Sequence, residues 1–406
     1  MVSFEVQQAR KSLAGVLVLT VVAAPCAGLA QPTHEPRAED ERRQTIVAQI
    51  YEEQSQNGPY SADLLDPLTT LSLLYQESGD HALAVAAIER ALGIVRANYG
   101  LRSIDQAPLL RQKIHNEEAR GNYATAWELE QSLVALLKDH PHELETVPIL
   151  REIGDKRMEL LRRYRSGELP PQIYLGCYYE VPQNRDDRNC YAGSRGFVIN
   201  SIAAEAWRYY AEAIGVLLRH ELYSSAELRD LEMELIRSSY EHDNYGLGLR
   251  SLRRLLAYDF VNSAPWLTRI ESAVLVGDWE LLFGQHGLAL EIYEQAYEQL
   301  EQRGAPQTAA DEMFLPKVPV MLPTFLPNPL ATDATETSTG YIDVAFEVTK
   351  YGRSRNVEIL TMTNASDVDK DRLVQLISRS RFRPLVSDGQ FTRTSPIVVR
   401  YHLNER

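Results

Sequence analysis

The chain has only three cysteines in 406 residues, and one of them, Cys26, falls within the first thirty positions. That is too few for a disulfide-built scaffold. The other two, Cys177 and Cys190, have no histidine or cysteine neighbours at zinc spacing. A phosphate-cradling glycine loop, an HExxH pair and a GxSxG elbow are all missing, so the sequence carries no familiar catalytic machinery. His140-Pro141-His142 with Glu143 and Glu145 is the nearest approach to a metal motif, and it reads as a solvated loop. Positive charge is also short. A formal net charge of −14 excludes a general nucleic-acid binder, which needs clustered lysine and arginine. The deficit is uneven, because residues 339–406 hold eleven basic against eight acidic residues, a local +3. What is present is ordinary: 44% hydrophobic and 24% charged residues suit a globular chain of two or three domains with real cores.

One long apolar run stands out. Arg10 and Lys11 precede Leu13 to Ala24, and Gly28-Leu29-Ala30 offers small residues before a cut at Gln31. Residues 1–30 read as a signal peptide cleaved near Ala30, which implies export. Two alternatives remain: an uncleaved anchor, since Leu13 to Ala30 reaches the lower length for a spanning helix, and lipid attachment at Cys26. Cysteine usage agrees with export. Cys177 and Cys190 share one polar, turn-rich segment, which reads as a disulfide in an oxidising compartment. Closing a loop of that size stabilises by roughly 3 kcal/mol in the chain-entropy picture. Two free thiols are the alternative.

After a flexible start at 31–39, apolar residues recur at i, i+3, i+4 and i+7 from about Asp40 to Arg303, predicting helix after helix. "LTTLSLLYQESGDHALAVAAIERALGIV" puts Leu71, Leu74 and Tyr75 on one face, turns at Gly79-Asp80, and sets Ala84, Ile88, Ala91 and Leu92 on a second helix. "LVGDWELLFGQHGLALEIYEQAYEQL" follows the same grammar, with Gly277, a turn at Gly284, Ala289 five later, Tyr293, and Ala296 twelve later. "NEEARGNYATAWELEQSLVALL" keeps Gly121, Tyr123 and Ala126, while two further segments are weaker. These stretches resemble the tetratricopeptide repeat. The resemblance implies stacked helical hairpins, with Gly79, Ala84, Gly284 and Ala289 structural, and a concave face that binds a protein or peptide.

Two segments break the helical pattern. Residues 170–196 hold Pro170, Pro171, Pro182 and both cysteines and read as a stapled insert between array halves at 40–169 and 197–303. Residues 304–338 hold six prolines and read as a linker, yet Phe314, Leu315, Val318, Met321, Leu322 and Phe325 predict that part of it packs on the last helices.

Residues 339–406 change character. Ile342, Val344, Phe346 and Val348 alternate, Tyr351-Gly352 turns, and Val357, Ile359 and Thr361 continue on a second strand. Asp367 is a candidate N-cap for a helix burying Leu373, Leu376 and Ile377. Ile397, Val399 and Tyr401 alternate on a closing strand. The order is β-β-α-β. "GYIDVAFEVTKYGRSRNVEIL", the helix and "SRFRPLVSDGQ" resemble the C-terminal domain of TonB, the periplasmic energy transducer. The resemblance implies that Phe382 plugs the core and Pro384 ends the helix, while Arg381, Arg383, Arg400 and Tyr401 are candidates for docking a partner by adding a strand to the sheet edge.

The fold class expected is therefore multidomain, an all-α TPR-like array followed by a small α+β domain. The function expected is a non-enzymatic periplasmic protein-interaction scaffold without cofactor, metal or catalytic residues. Its partner would be a protein or peptide of the envelope and not nucleic acid. Membrane contact would follow only if the N-terminal segment is retained, in which case the alternative is an anchored, atypical TonB-like transducer.

Overall fold

A computed structural model describes residues 36–166, 195–222, 225–304, 306–326, 328–330, 338–387 and 390–404. The N-terminal run with its proposed cut, and both Cys177 and Cys190, lie outside the described residues. The chain divides into two compact units, Met1–Ile94 and Val95–Arg406.

In the first unit, helix α1 (Pro36–Asn57) is followed by a short 3-10 turn and α2 (Leu65–Glu77), and α3 (His81–Tyr99) begins there and continues into the second. Gly79 takes φ +80° between α2 and α3, a backbone that side chains resist, so the tight turn depends on glycine. Ala84, Ile88 and Ala91 of α3 are fully buried.

The second unit continues with α4 (Gln106–Ala119), α5 (Tyr123–Asp139), α6 (Thr146–Ser166), α7 (Arg195–Arg219), α8 (Ala226–Glu241), α9 (Tyr245–Val261), α10 (Trp266–Leu282) and α11 (His286–Gln302). Neighbours pack as α4 on α5, α6 on α7, α8 on α9 and α10 on α11, a run of helical hairpins. The array is thus TPR-like in construction. Its hairpins share a packing device. A Cβ at Gly154 of α6 would lie 2.6 Å from the Tyr210 ring of α7, and one at Gly277 of α10 would lie 2.8 Å from the Tyr293 ring of α11. In both, the tyrosine hydroxyl donates at 2.8 Å to the aspartate that follows the glycine, Asp155 or Asp278. Gly248 of α9 receives the Trp279 indole of α10 in the same way.

Beyond the array come α12 (Gln307–Phe314), β1 (Met321–Leu322), β2 (Ser338–Val348), β3 (Ser354–Thr363), α13 (Asp367–Arg379), β4 (Arg381–Phe382), β5 (Val386–Ser387), β6 (Gln390–Phe391) and β7 (Ile397–Asn404). A small antiparallel sheet forms in the order β3-β2-β7. Ile342, Val344, Phe346 and Val348 are completely buried with Leu373, Ile377 and Phe382. Phe382 packs 5.3 Å from Phe346, and Pro384 is buried.

Local departures from the sequence reading have identifiable causes. The register slips between Asp343↔Thr361 and Val344↔Ile359, leaving Leu360 as the extra residue of a bulge. The slip sends Met362 to the core and leaves Thr361 exposed, donating to Asp343 at 2.6 Å. Ser366, not Asp367, caps α13, because its hydroxyl and the Asp369 carboxylate form a reciprocal capping box.

Residues 304–338 do more than link. Phe314 is fully buried among Tyr293, Ala296 and Leu300 of α11, and Leu322 joins the same cluster. β1 pairs with β4, matching Met321 to Phe382, and Phe325 sits edge-on to Tyr240 of α8 at 5.7 Å. The apolar residues spaced between the prolines bind this segment to the last hairpins. The sheet is seated on the same place. Phe391 lies against Phe314 at 5.4 Å and Tyr293 at 6.1 Å, and Gly352, at φ +68°, brings the β2–β3 turn onto Leu281 of α10.

Candidate functional site

Two places in the second unit gather chemistry. The larger is a groove of about 830 Å³ over α4, α5 and α6. Helical spacing of four puts Arg111 and His115 on one face of α4, and Glu152 and Lys156 on the facing side of α6. Arg111 pairs with Glu152, and Lys156 lies 3.5 Å from Glu118 and 3.8 Å from Glu152. Arg151 reaches Asp155 at 3.9 Å, the carboxylate that Tyr210 also holds. Deeper, Arg157 is 7% exposed at its side chain and joins Glu130 of α5 to Glu205 of α7, the latter at 2.9 Å. Its guanidinium stands 5.0 Å from the Trp127 ring. Arg111 Nε is buried without a hydrogen-bond partner.

The Lys156 and Arg151 pairs of this groove are long, 3.5 to 3.9 Å, and a third or more exposed. Such pairs contribute only about 0–1 kcal/mol each, so a polar ligand can exchange them at little cost. The buried Arg157 knot is different. It fixes α5, α6 and α7 together and holds Trp127 against the groove wall.

The second place is where the sheet meets the array. Arg383 is 8% exposed. Its Nε and Nη2 donate to Asp278 Oδ1 and Oδ2 at 2.9 and 2.6 Å, and its Nη1 donates to the Met313 carbonyl at 3.2 Å. Tyr293 completes the knot from α11. Burial and the Asp278 charge hold the Tyr293 hydroxyl well above its ordinary range, so it keeps the proton it donates to Asp278. Arg383 is therefore not a solvent-facing docking residue. It is the intramolecular ligand of the Gly277-Asp278-Tyr293 unit.

The remaining sequence candidates separate. Arg381 is half-buried beside Arg353, its β-bridge partner, and no described carboxylate lies within ion-pair distance. Arg400 is exposed on β7, chelates Asp343 of β2 at 2.8 and 2.9 Å, and lies 4.0 Å from the Tyr341 ring. The Arg400 hydrogen bonds hold the Asp343 carboxyl below its usual range. Tyr401 packs its ring on the sheet core. Gly284 takes φ +83° and Ala289 is fully buried.

His140 is tied rather than solvated: Nδ1 meets Glu143 at 2.7 Å and Nε2 meets the Arg102 carbonyl at 2.6 Å. The Arg102 carbonyl, with Glu143, pushes its pKa up. Among the described residues no three His, Cys, Asp or Glu side chains are grouped to hold a metal, and no helix is long and apolar enough to cross a membrane.

Sequence reasoning missed the groove, the Arg157 knot and Asp278 as a ligand. A signal for the last existed in the dipeptide Gly-Asp, at 154–155 and again at 277–278, each followed by a tyrosine on the next helix.

No protein-family model matches the chain, and no curated protein matches it in sequence. Among solved structures, it is similar to the nearly identical TPR-like repeats of a kinesin light chain from Podosopora anserina, at 15% identity, TM-score 0.34, covering 59% of this chain and 96% of that one. It is also similar to BtubC (BKLC) from P. vanneervenii, at 13% identity, TM-score 0.35, covering 74% and 96%.

Proposed function

We propose that the protein is a non-enzymatic interaction scaffold in which the α4–α6 groove binds an extended segment of a partner protein. The observation that carries this is the groove itself, about 830 Å³ with Trp127 and exchangeable ion pairs along its walls. A peptide laid there would replace the Lys156 and Arg151 pairs with its own carboxylates and stack on Trp127, at small desolvation cost. The proposal includes export by the N-terminal segment to an oxidising envelope compartment, where Cys177 and Cys190 would pair. It also takes the C-terminal sheet as TonB-like in lineage and able to dock a second envelope partner through an open strand edge.

Peptide selection tests the groove. Displayed peptides that bind the wild-type chain are expected to lose binding to the double variant Arg151→Glu, Lys156→Glu. Equal binding to both proteins would overturn the reading.

A further inference from the structure

The two arginines that flank Phe382 meet opposite fates. Arg383 is neutralised by Asp278, whereas Arg381, in a half-buried position, faces Arg353 across an antiparallel bridge and receives no described carboxylate. Like charges placed directly opposite each other repel. Burial and the charge of Arg353 push the Arg381 pKa down. Burial and both arginines push that of His286 down too, and His286 Nδ1 is buried without a hydrogen-bond partner.

Arg381 opens into a cleft of about 700 Å³ formed by α13 with the ends of α8 and α10. Arg379 and Arg372 line it as well. Arg372 stands 4.0 Å from Asp369, and Arg379, like Arg381, has no described carboxylate within ion-pair distance. Asp243 is the single acidic residue of the lining. In a chain of net charge −14 this is an uncompensated basic site. Leu282, Phe283, Leu322 and Leu376 give the wall an apolar part, and Tyr240, Gln375 and Ser380 complete it.

We propose that this cleft is a docking site for an acidic peptide segment, whose carboxylates neutralise Arg379 and Arg381 and whose apolar side chains cover Phe283 and Leu376. The cleft is too large for one ion, and a wall that holds both arginines and the apolar Leu282, Phe283, Leu322 and Leu376 suits a segment with both acidic and apolar residues. The site is separate from the α4–α6 groove and does not depend on the reading of that groove.

The test is fluorescence anisotropy on the full chain with a labelled octapeptide of alternating Glu and Leu, and with its Lys and Leu counterpart. The acidic peptide is expected to bind and the basic one to fail. Each of Arg379→Gln and Arg381→Gln is expected to raise Kd about fivefold, the scale of one partly exposed ion pair. Arg381→Glu is expected to raise it further, and Arg355→Gln on β3 is expected to leave it unchanged. Arg379 is exposed at the end of α13, so its replacement spares the fold and keeps the test open if the Arg381 variants unfold. Equal binding of both peptides, an Arg379→Gln Kd equal to wild type, or complete displacement of the acidic peptide by equimolar inorganic phosphate would overturn the proposal.

Discussion

Replacing Arg383 with methionine removes a cation from a nearly closed site. The side chains of Arg383 and Asp278 are 9% and 4% exposed, and three hydrogen bonds from the guanidinium are lost at once. Two of these join it to the Asp278 carboxylate, and bonds of that kind are worth about 1.5–3 kcal/mol each. Asp278 is then left buried with only the Tyr293 hydroxyl. Breaking one side of a buried pair costs about 3–5 kcal/mol, and we expect Arg383→Met and Asp278→Asn each to fall in that range. The double variant should cost clearly less than their sum, because it leaves no lone charge behind. Urea unfolding of the four proteins completes the cycle. Single losses below about 1 kcal/mol that simply add would refute the knot as the clamp between sheet and array.

Other outcomes follow from the same geometry. Gly248→Ala and Gly277→Ala place a methyl against Trp279 and Tyr293 and should each destabilise by about 1–3 kcal/mol. Gly93→Ala in α3 meets nothing within 4 Å and should stabilise by about 0.5–1 kcal/mol, all read from thermal melts. Ser366→Ala should cost about 1 kcal/mol through the lost cap of α13. His140 has a folded-state pKa raised above the ordinary histidine value of 6.5. Its protonated form is therefore favoured by folding, and its contribution is complete below that value and lost as pH rises through the folded one. The stability gap between wild type and His140→Gln should narrow on going from pH 5.5 to 8.5; a gap that widens would contradict the assignment.

Hairpins and strands were legible because local periodicity writes them. Gly79 and Gly284 mark turns, Ala84 and Ala289 mark close helix contacts, and alternation from Ile342 to Val348 marks the buried strand. The bulge at Leu360 was not legible, because a register slip depends on the partner strand and leaves no local trace. Arg383 was misread for a related reason. Two residues from Arg381, it shows the same local chemistry, and only a carboxylate 105 residues away separates their environments. The groove was hidden in the same manner, since its charges come from helices whose relative placement no short pattern encodes. In the proline-rich stretch proline reports only backbone stiffness, and it is the apolar residues between the prolines, Phe314, Leu322 and Phe325 among them, that made its packing on the last helices legible.

The groove is the central claim, and crosslinking reads it directly. A photoreactive residue at His115, exposed on the groove wall, should form an adduct with a selected peptide. The same residue at Tyr51 of α1, 70% exposed and outside the groove, should not. Equal adducts at the two positions, or an adduct at Tyr51 alone, would contradict the account.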